Sequence, residues 1–280
     1  MTVDLHTHST ASDGTETPAR VVELAADAGL SAVALTDHDT LSGLGEARAA
    51  AERSGIELVP GVELSVDHAG RKLHLLVYFL EPGPGPLQGR LAELREGRTV
   101  RNRRIVAKLR DLGYDITIDD VLAQAGGEAV GRPHIADALV ARGLFPNRSA
   151  VFAALLHDGG AAYEERPRLA AAEAISLARD SGAVSVVAHP YTIDGNRESY
   201  RGLFEELAAL GLGGIEVEYP EHPLPLRETL TELARALDLV ATGGSDFHGA
   251  GKPGIFVGRG RGTLNVPDDV VAQLRSRRAA

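Results

Sequence analysis

The chain has 280 residues, no cysteine, 29 Lys and Arg against 39 Asp and Glu, and a formal net charge of -10 at pH 7. That length is enough to bury a core as one large domain or as a barrel with an insertion. The composition excludes thiol catalysis, disulfides and cysteine-zinc sites, and the acidic balance argues against a stable complex with long nucleic acid. No basic-then-apolar opening segment and no apolar run of about 18 residues is visible, so neither a leader nor a membrane span is expected, and a reducing, cytoplasmic address fits.

Val3 and Leu5 alternate with polar residues in Asp4-Leu5-His6-Thr7-His8-Ser9, which predicts a strand on which His6 and His8 leave the same face. Thr17-Pro18 then reads as an N-cap followed by proline at the first helical position, and Gly29 ends that helix. Ser31 to His38 is a buried-type strand ending in Thr36-Asp37-His38-Asp39. A helix through Ala47 to Arg53 follows, then strands Glu57 to Val66 and Leu73 to Leu80, joined by a hairpin-like turn at Gly70.

The rhythm breaks at Glu81-Pro82-Gly83-Pro84-Gly85-Pro86, a stiff, turn-rich linker. From Leu87 to about Gly182 the spacing predicts helices only: a long one to Leu112, a second near Asp119, a third after Pro133 and a fourth including Val151 to Leu155. Residues 81–182 are therefore expected to form a helical insertion, a substrate cap, between barrel segments 1–80 and 183–280. Strands resume at Val184 to His189, Gly214 to Tyr219 and Leu239 to Gly243, with helices Tyr200 to Leu210 and Leu226 to Leu237 between them. Alternating strands and helices argue for a parallel α/β barrel with function at the carboxyl ends of its strands.

His6, His8, Asp13, His38, Glu63, His74, His189, Asp246 and His248 all fall at or just beyond such ends. Nine candidates exceed the needs of one ion. They suggest a cluster of two or three divalent cations with Glu63 as a carboxylate bridge, and a thiolate-free His/carboxylate set suits Mn, Fe or Zn better than Mg or Ca. Asp37 and Asp39 flank His38, where either would orient that imidazole through its other nitrogen or cap the next helix. Arg132 and His134, around Pro133 at a helix start, are candidates for holding phosphate, as is His222. The basic run Arg98, Arg101, Arg103 and Arg104 reads equally as a solvated face or as phosphate steering.

These motifs resemble the PHP (polymerase and histidinol phosphatase) family over nearly the whole chain: His6-Thr7-His8, Thr36-Asp37-His38, Glu63, His74, Ala188-His189-Pro190 and Ser245-Asp246-Phe247-His248. The resemblance implies a distorted (β/α)7 barrel with a trinuclear metal centre, Mn above Fe or Zn. The first ion would be held by His6, His8, Glu63 and Asp246, the second by Glu63, His74 and His189, the third by Asp13, His38 and His248. Asp13 stands where histidinol phosphatases tend to have histidine. The His-x-His-Ser-x-x-Ser-Asp-Gly opening, Gly131-Arg132-Pro133-His134 and Lys252-Pro253-Gly254 are similar to the 3′,5′-nucleoside bisphosphate phosphatase group, which includes RNase AM-like enzymes. The expected activity is thus metal-dependent hydrolysis of a phosphate monoester on a small nucleotide, most specifically a 3′-phosphate, or else 5′-end-directed cleavage of short RNA. Histidinol phosphate or AMP hydrolysis, a polymerase-type DNA exonuclease, a C–N hydrolase and a non-catalytic metal-binding module are the competing readings.

Overall fold

The computed structural model describes residues 2–166, 168–193 and 200–278. Strands β1 (Val3–Asp4), β2 (Ala32–Leu35), β3 (Glu57–His68), β4 (Arg71–Tyr78), β6 (Val184–Ala188), β7 (Gly214–Glu218) and β8 (Val240–Gly243) follow one another in a nearly closed, barrel-like sheet, and β5 (Leu169–Ala170) pairs with β3 off this path. All neighbours are parallel except those of β4, which runs antiparallel to both β3 and β6. The hairpin before β4 causes that reversal. Its turn puts Ala69 and Gly70 at positive φ, 52° and 81°.

The two ends of the sheet are sewn together beyond the regular strands. Leu5 N donates to Gly243 O (3.1 Å), Asp246 N to His6 O (2.8 Å) and His8 N to Phe247 O (2.9 Å). Regular β1 is therefore shorter than the sequence predicts, because Leu5, His6 and His8 bond this seam while Thr7 alone continues toward β2.

Helices α1 (Pro18–Asp27) and α2 (Leu44–Ser54) cover β1 to β3, and α8 (Tyr200–Ala209), α9 (Leu224–Ala236) and α10 (Asp269–Ser276) cover the later strands. The expected cap forms at α1, where Thr17 accepts from Arg20 N and Pro18 takes the first helical position. The core is built by the apolar faces these elements turn inward, among them Val62, Leu75, Val187, Ile215 and Leu230.

Between β4 and β6 lie α3 (Pro86–Asp111), α4 (Ile118–Leu122), α5 (Arg132–Ala141), α6 (Arg148–Val151), a π-helical turn (Phe152–Leu156) and α7 (Ala171–Asp180). The helices-only expectation for this stretch fails at β5, whose two residues pair in parallel with Val66 and Asp67. Two residues carry too little alternation to register as a strand. A separate apolar cluster holds α3 to α5 together, from Ile105 to Ala162. By contrast, Leu87 and Leu91 at the start of α3, and Ala171, Ala174, Ile175 and Ala178 of α7, pack into the barrel's own core. No helix among the described residues is long and apolar enough to cross a membrane.

Candidate metal centre

The opening segment delivers its histidines because Thr7, between them, is pinned to the neighbouring strand: its hydroxyl donates to Ala34 O (2.6 Å) and Thr36 Oγ1 donates to Thr7 O (3.1 Å). His6 and His8 therefore face the barrel mouth together, with Nε2 atoms 3.1 Å apart. The closing segment must pass against them. A Cβ on Gly244 would lie 2.3 Å from the Cβ of His6, so only glycine permits the approach. Asp246 then turns in at φ 53° and His189 at φ 29°, unusual backbone for side chains. Such strain is often found where a site dictates side-chain direction.

Glu63 sits at the centre. One oxygen lies 2.6 Å from His74 Nδ1 and 3.0 Å from His189 Nε2; the other lies 3.1 Å from His8 Nε2, 3.2 Å from His38 Nδ1 and 3.4 Å from His6 Nε2. Asp246 Oδ1 lies 3.3 to 3.6 Å from His248 Nδ1, His8 Nε2 and His6 Nε2. Asp13 approaches His248 (3.3 Å), His38 (3.8 Å) and His8 (3.9 Å). All nine residues singled out in the sequence thus meet in one place. Three overlapping sets have ligand atoms within 4.8 Å of one another: His8, Asp13, His38 and His248; His6, Glu63 and His189; His6, His8 and Asp246.

Burial would raise all three carboxyls, but neighbouring imidazoles hold them well below the usual carboxylate range: His38 and His248 beside Asp13, His38, His74 and His6 around Glu63, and His6 with Lys252 around Asp246. Burial drives His38 down to about 3 despite Glu63 and Asp13. It opposes protonation of His248 too, yet Asp13 and Asp246 push that ring up to about 9. His8 Nδ1 and His38 Nδ1 are buried without a hydrogen-bond partner, and His6 and His8 point Nε2 atoms at each other. Carboxylates held ionised, imidazole nitrogens crowded around them and buried ring nitrogens left without partners suit a divalent cation, and these residues fit one.

Around the cluster, Tyr219 OH and Lys252 Nζ both donate to Asp246 Oδ2 (2.8 and 2.7 Å), leaving Oδ1 to face the histidines. Buried Glu216 contacts His6 Nδ1 (3.0 Å). Neither Asp37 nor Asp39 takes the expected place on His38. Asp37 accepts from Ser9 N, Ser9 Oγ and Ser12 Oγ, which fold the loop leading to Asp13. Asp39 accepts from Arg98 Nε (2.5 Å) and lies 3.7 Å from Arg166.

A cavity of about 180 Å³ opens on the cluster between Asp13, His38 and His74 below and Arg98, Arg101, Arg132 and Arg166 above. Arg98 Nη2 is buried there with no hydrogen-bond partner. Burial, compounded by Arg98 and Arg132, lowers Arg101 to about 9, and burial beside Arg98 lowers Arg166 as well. The basic run of α3 accordingly divides: Arg98 and Arg101 are buried over the cluster, while Arg103 and Arg104 are exposed. Arg132 reaches the cavity, braced by Leu156 O and Asp158 and set against the rings of Phe152 and Tyr163. His134 does not join it: Gly131 N donates to its Nδ1 (2.9 Å), so this buried ring caps α5. His222 is buried, with Nδ1 on Val217 O (2.8 Å) and Nε2 unpartnered. A second cavity, of about 430 Å³, shares His74 and Arg132 and adds Lys72, Asp158, Arg168, His189 and Thr192.

A PHP domain model matches residues 4–118. A phosphoribosyl 1,2-cyclic phosphate 1,2-diphosphodiesterase of Eggerthella lenta is 34% identical over 254 residues, 89% of this chain and 95% of that protein. The chain belongs to the PHP family. Among other relatives, a 3′,5′-nucleoside bisphosphate phosphatase of Chromobacterium violaceum is 35% identical (91% of this chain, 90% of that one), and a 5′-3′ exoribonuclease of Haemophilus influenzae is 34% identical (88% and 89%). A solved structure from Bifidobacterium adolescentis, described as a metal-dependent phosphoesterase, superposes with a TM-score of 0.89 at 36% identity, covering 99% of this chain and 96% of that one. This PHP protein is a metal-dependent phosphoesterase.

Proposed function

We propose that the protein removes the 3′-phosphate of 3′,5′-bisphosphonucleotides, using three divalent cations, Mn in preference to Fe or Zn. The observation that carries this reading is the arginine-roofed cavity directly over the histidine and carboxylate cluster. A buried guanidinium with a free N–H is costly unless an anion completes it. The cluster takes the scissile phosphate and the roof takes the second one. The ligand groups are His6, His8, Glu63 and Asp246; Glu63, His74 and His189; and Asp13, His38 and His248.

Cations bound there would lower the pKa of a shared water toward neutrality and spread the charge growing on phosphoryl oxygens. The chain's own residues do the rest. Lys252 and Tyr219 fix Asp246 with one oxygen left to the histidines, Asp39 holds Arg98 at the cavity, and Arg132 lines it. His222 contributes its unpartnered Nε2 as a further substrate contact. Helices α3 to α6 act as the substrate cap. The C–N hydrolase reading is disfavoured because an amide brings no anion for four arginines. A reducing, cytoplasmic setting suits a nucleotide substrate and a cysteine-free chain.

The second cavity favours one other reading, 5′-end-directed cleavage of short RNA, since it extends the site past His74 and Arg132. The test is phosphate and nucleotide release by metal-stripped protein reloaded with Mn. Adenosine 3′,5′-bisphosphate is compared with 5′-AMP, histidinol phosphate, a ribosyl 1,2-cyclic phosphate and a 5′-phosphorylated oligoribonucleotide. The bisphosphate should be turned over with the highest kcat/KM. Preference for the oligonucleotide would transfer the roof to an RNA 5′-phosphate, and preference for the cyclic ester or for a monophosphate would overturn the proposal.

A further inference from the structure

Glu216 is fully buried on β7, at the point where pairing with β8 shifts register between Glu216 and Glu218. Such an irregularity re-aims the side chains beside it. Its two oxygens are used separately. Oε1 contacts His6 Nδ1 at 3.0 Å, and Oε2 accepts from the backbone N of His189 at 2.6 Å. These two histidines arrive from the distant strand ends of β1 and β6 and flank Glu63, with His6 Nε2 toward one of its oxygens and His189 Nε2 toward the other.

We propose that Glu216 is a positioning residue that sets two members of the metal cluster with one carboxylate: His6 through its ring and His189 through its backbone. This rests on the reading of the cluster as a metal centre. A proton on Nδ1 of His6, shared with Glu216, leaves the Nε2 lone pair facing inward, and a histidine ligand is commonly oriented in this way by an outer carboxylate. His189 needs a different restraint, because its ring Nδ1 is already held by Thr192 Oγ1 (3.0 Å) while its backbone is strained at φ 29° and ψ 63°. The bond to Oε2 holds that backbone. Both partners of Glu216 are then N–H donors, which an acceptor-only carboxylate satisfies at both oxygens. Glutamine has the same shape but a single acceptor. Its NH2 would oppose either His6 Nδ1–H or His189 N–H, so one of the two histidines must be released.

The experiment is a titration of metal-stripped protein with Mn²⁺, reading free Mn²⁺ by electron paramagnetic resonance, for wild type, Glu216→Gln and Glu218→Gln, with circular dichroism of each apoprotein. Glu218 lies on the same strand but pairs with Arg227 (2.7 Å) and touches no cluster histidine, so its variant is the matched control. Glu216→Gln should weaken Mn²⁺ binding by about 10- to 100-fold, the usual effect of losing an outer partner, and Glu218→Gln should leave it at the wild-type value. Wild-type affinity in Glu216→Gln, or equal losses in both variants, overturns the inference. A wild type that binds no Mn²⁺ overturns the metal reading itself, and this inference with it. Should Glu216→Gln fail to fold, the Zn-loaded wild type decides the matter through long-range proton–nitrogen correlations of its histidines: a proton on His6 Nδ1 is expected, and one on Nε2 sinks the assignment.

Discussion

The floor of the site gathers six histidines and three carboxylates, Glu63 and His74 from within β3 and β4 and the rest from segments just beyond strand ends, whereas its roof gathers four arginines from the interior of α3, the start of α5 and the coil before β5. In the floor the charges alternate closely, and each carboxylate is held ionised by the imidazoles around it. In the roof like charges crowd together, and Asp39 is the carboxylate that meets Arg98 and Arg166. On the function proposed above, the floor would hold cations and the roof an anion. Two opposite charge demands facing each other across one small cavity is the arrangement a phosphate ester satisfies when it lies between them.

The comparison breaks most visibly at the floor. Asp246→Ala or His8→Ala should lower kcat by about three orders of magnitude, as loss of several kcal/mol of charge stabilisation implies, with an unchanged circular dichroism spectrum. Activity near wild type in either variant would remove that residue from the centre. The roof should fail first as structure. Asp39→Ala leaves Arg98 buried without its partner and should cost about 3–5 kcal/mol of stability in urea unfolding. The sign with pH follows from the same pair. Burial would raise Asp39, but Arg98 and Arg166 hold it below its ordinary value, so its contribution is present above the unfolded carboxylate range and is lost as pH falls below about 4. The difference between wild type and Asp39→Ala should therefore shrink in acid, and a constant difference would refute the ion-pair account.

Smaller effects sharpen the division. Arg101→Ala should raise KM for a bisphosphate by about 10- to 100-fold, the worth of one charge-assisted hydrogen bond, with kcat little changed and a weaker effect on a monophosphate. Chelation of the Mn-loaded protein should lower Tm, since ligand at about 100 times its Kd adds about 2.7 kcal/mol; an unmoved Tm would mean that no cation is bound to the folded state. Smallest of all, His134→Ala should cost about 1 kcal/mol as a lost helix cap while KM stays put, and a raised KM would return His134 to the substrate.

Most of the floor was legible in the sequence because its residues sit where apolar runs stop; Glu63 and His74 depart from that expectation, lying inside β3 and β4 where the antiparallel hairpin turns their side chains to the cluster. His6 and His8 are a pattern, and so are Ser245-Asp246-Phe247-His248. Much of the second layer was not legible. Glu216 lies inside Gly-Ile-Glu-Val-Glu, where one acid faces the cluster and the next faces Arg227, and nothing in the alternation says which. Arg166 stands in coil with no periodicity to place it. Arg98 and Arg101 were noticed as charge, but that they are buried depends on how α3 crosses the barrel mouth. His134 reads both ways, because a histidine three residues into a helix suits a cap as well as it suits an anion.

The seam joining Leu5, His6 and His8 to Gly243, Asp246 and Phe247 also sets when the protein can act. His6 and His8 are synthesised before Asp246 and His248, with the strands and helices between them made in the interval. A nascent chain that has not yet reached Asp246 and His248 thus carries an incomplete phosphoesterase, and hydrolytic competence is timed to the closing of the barrel.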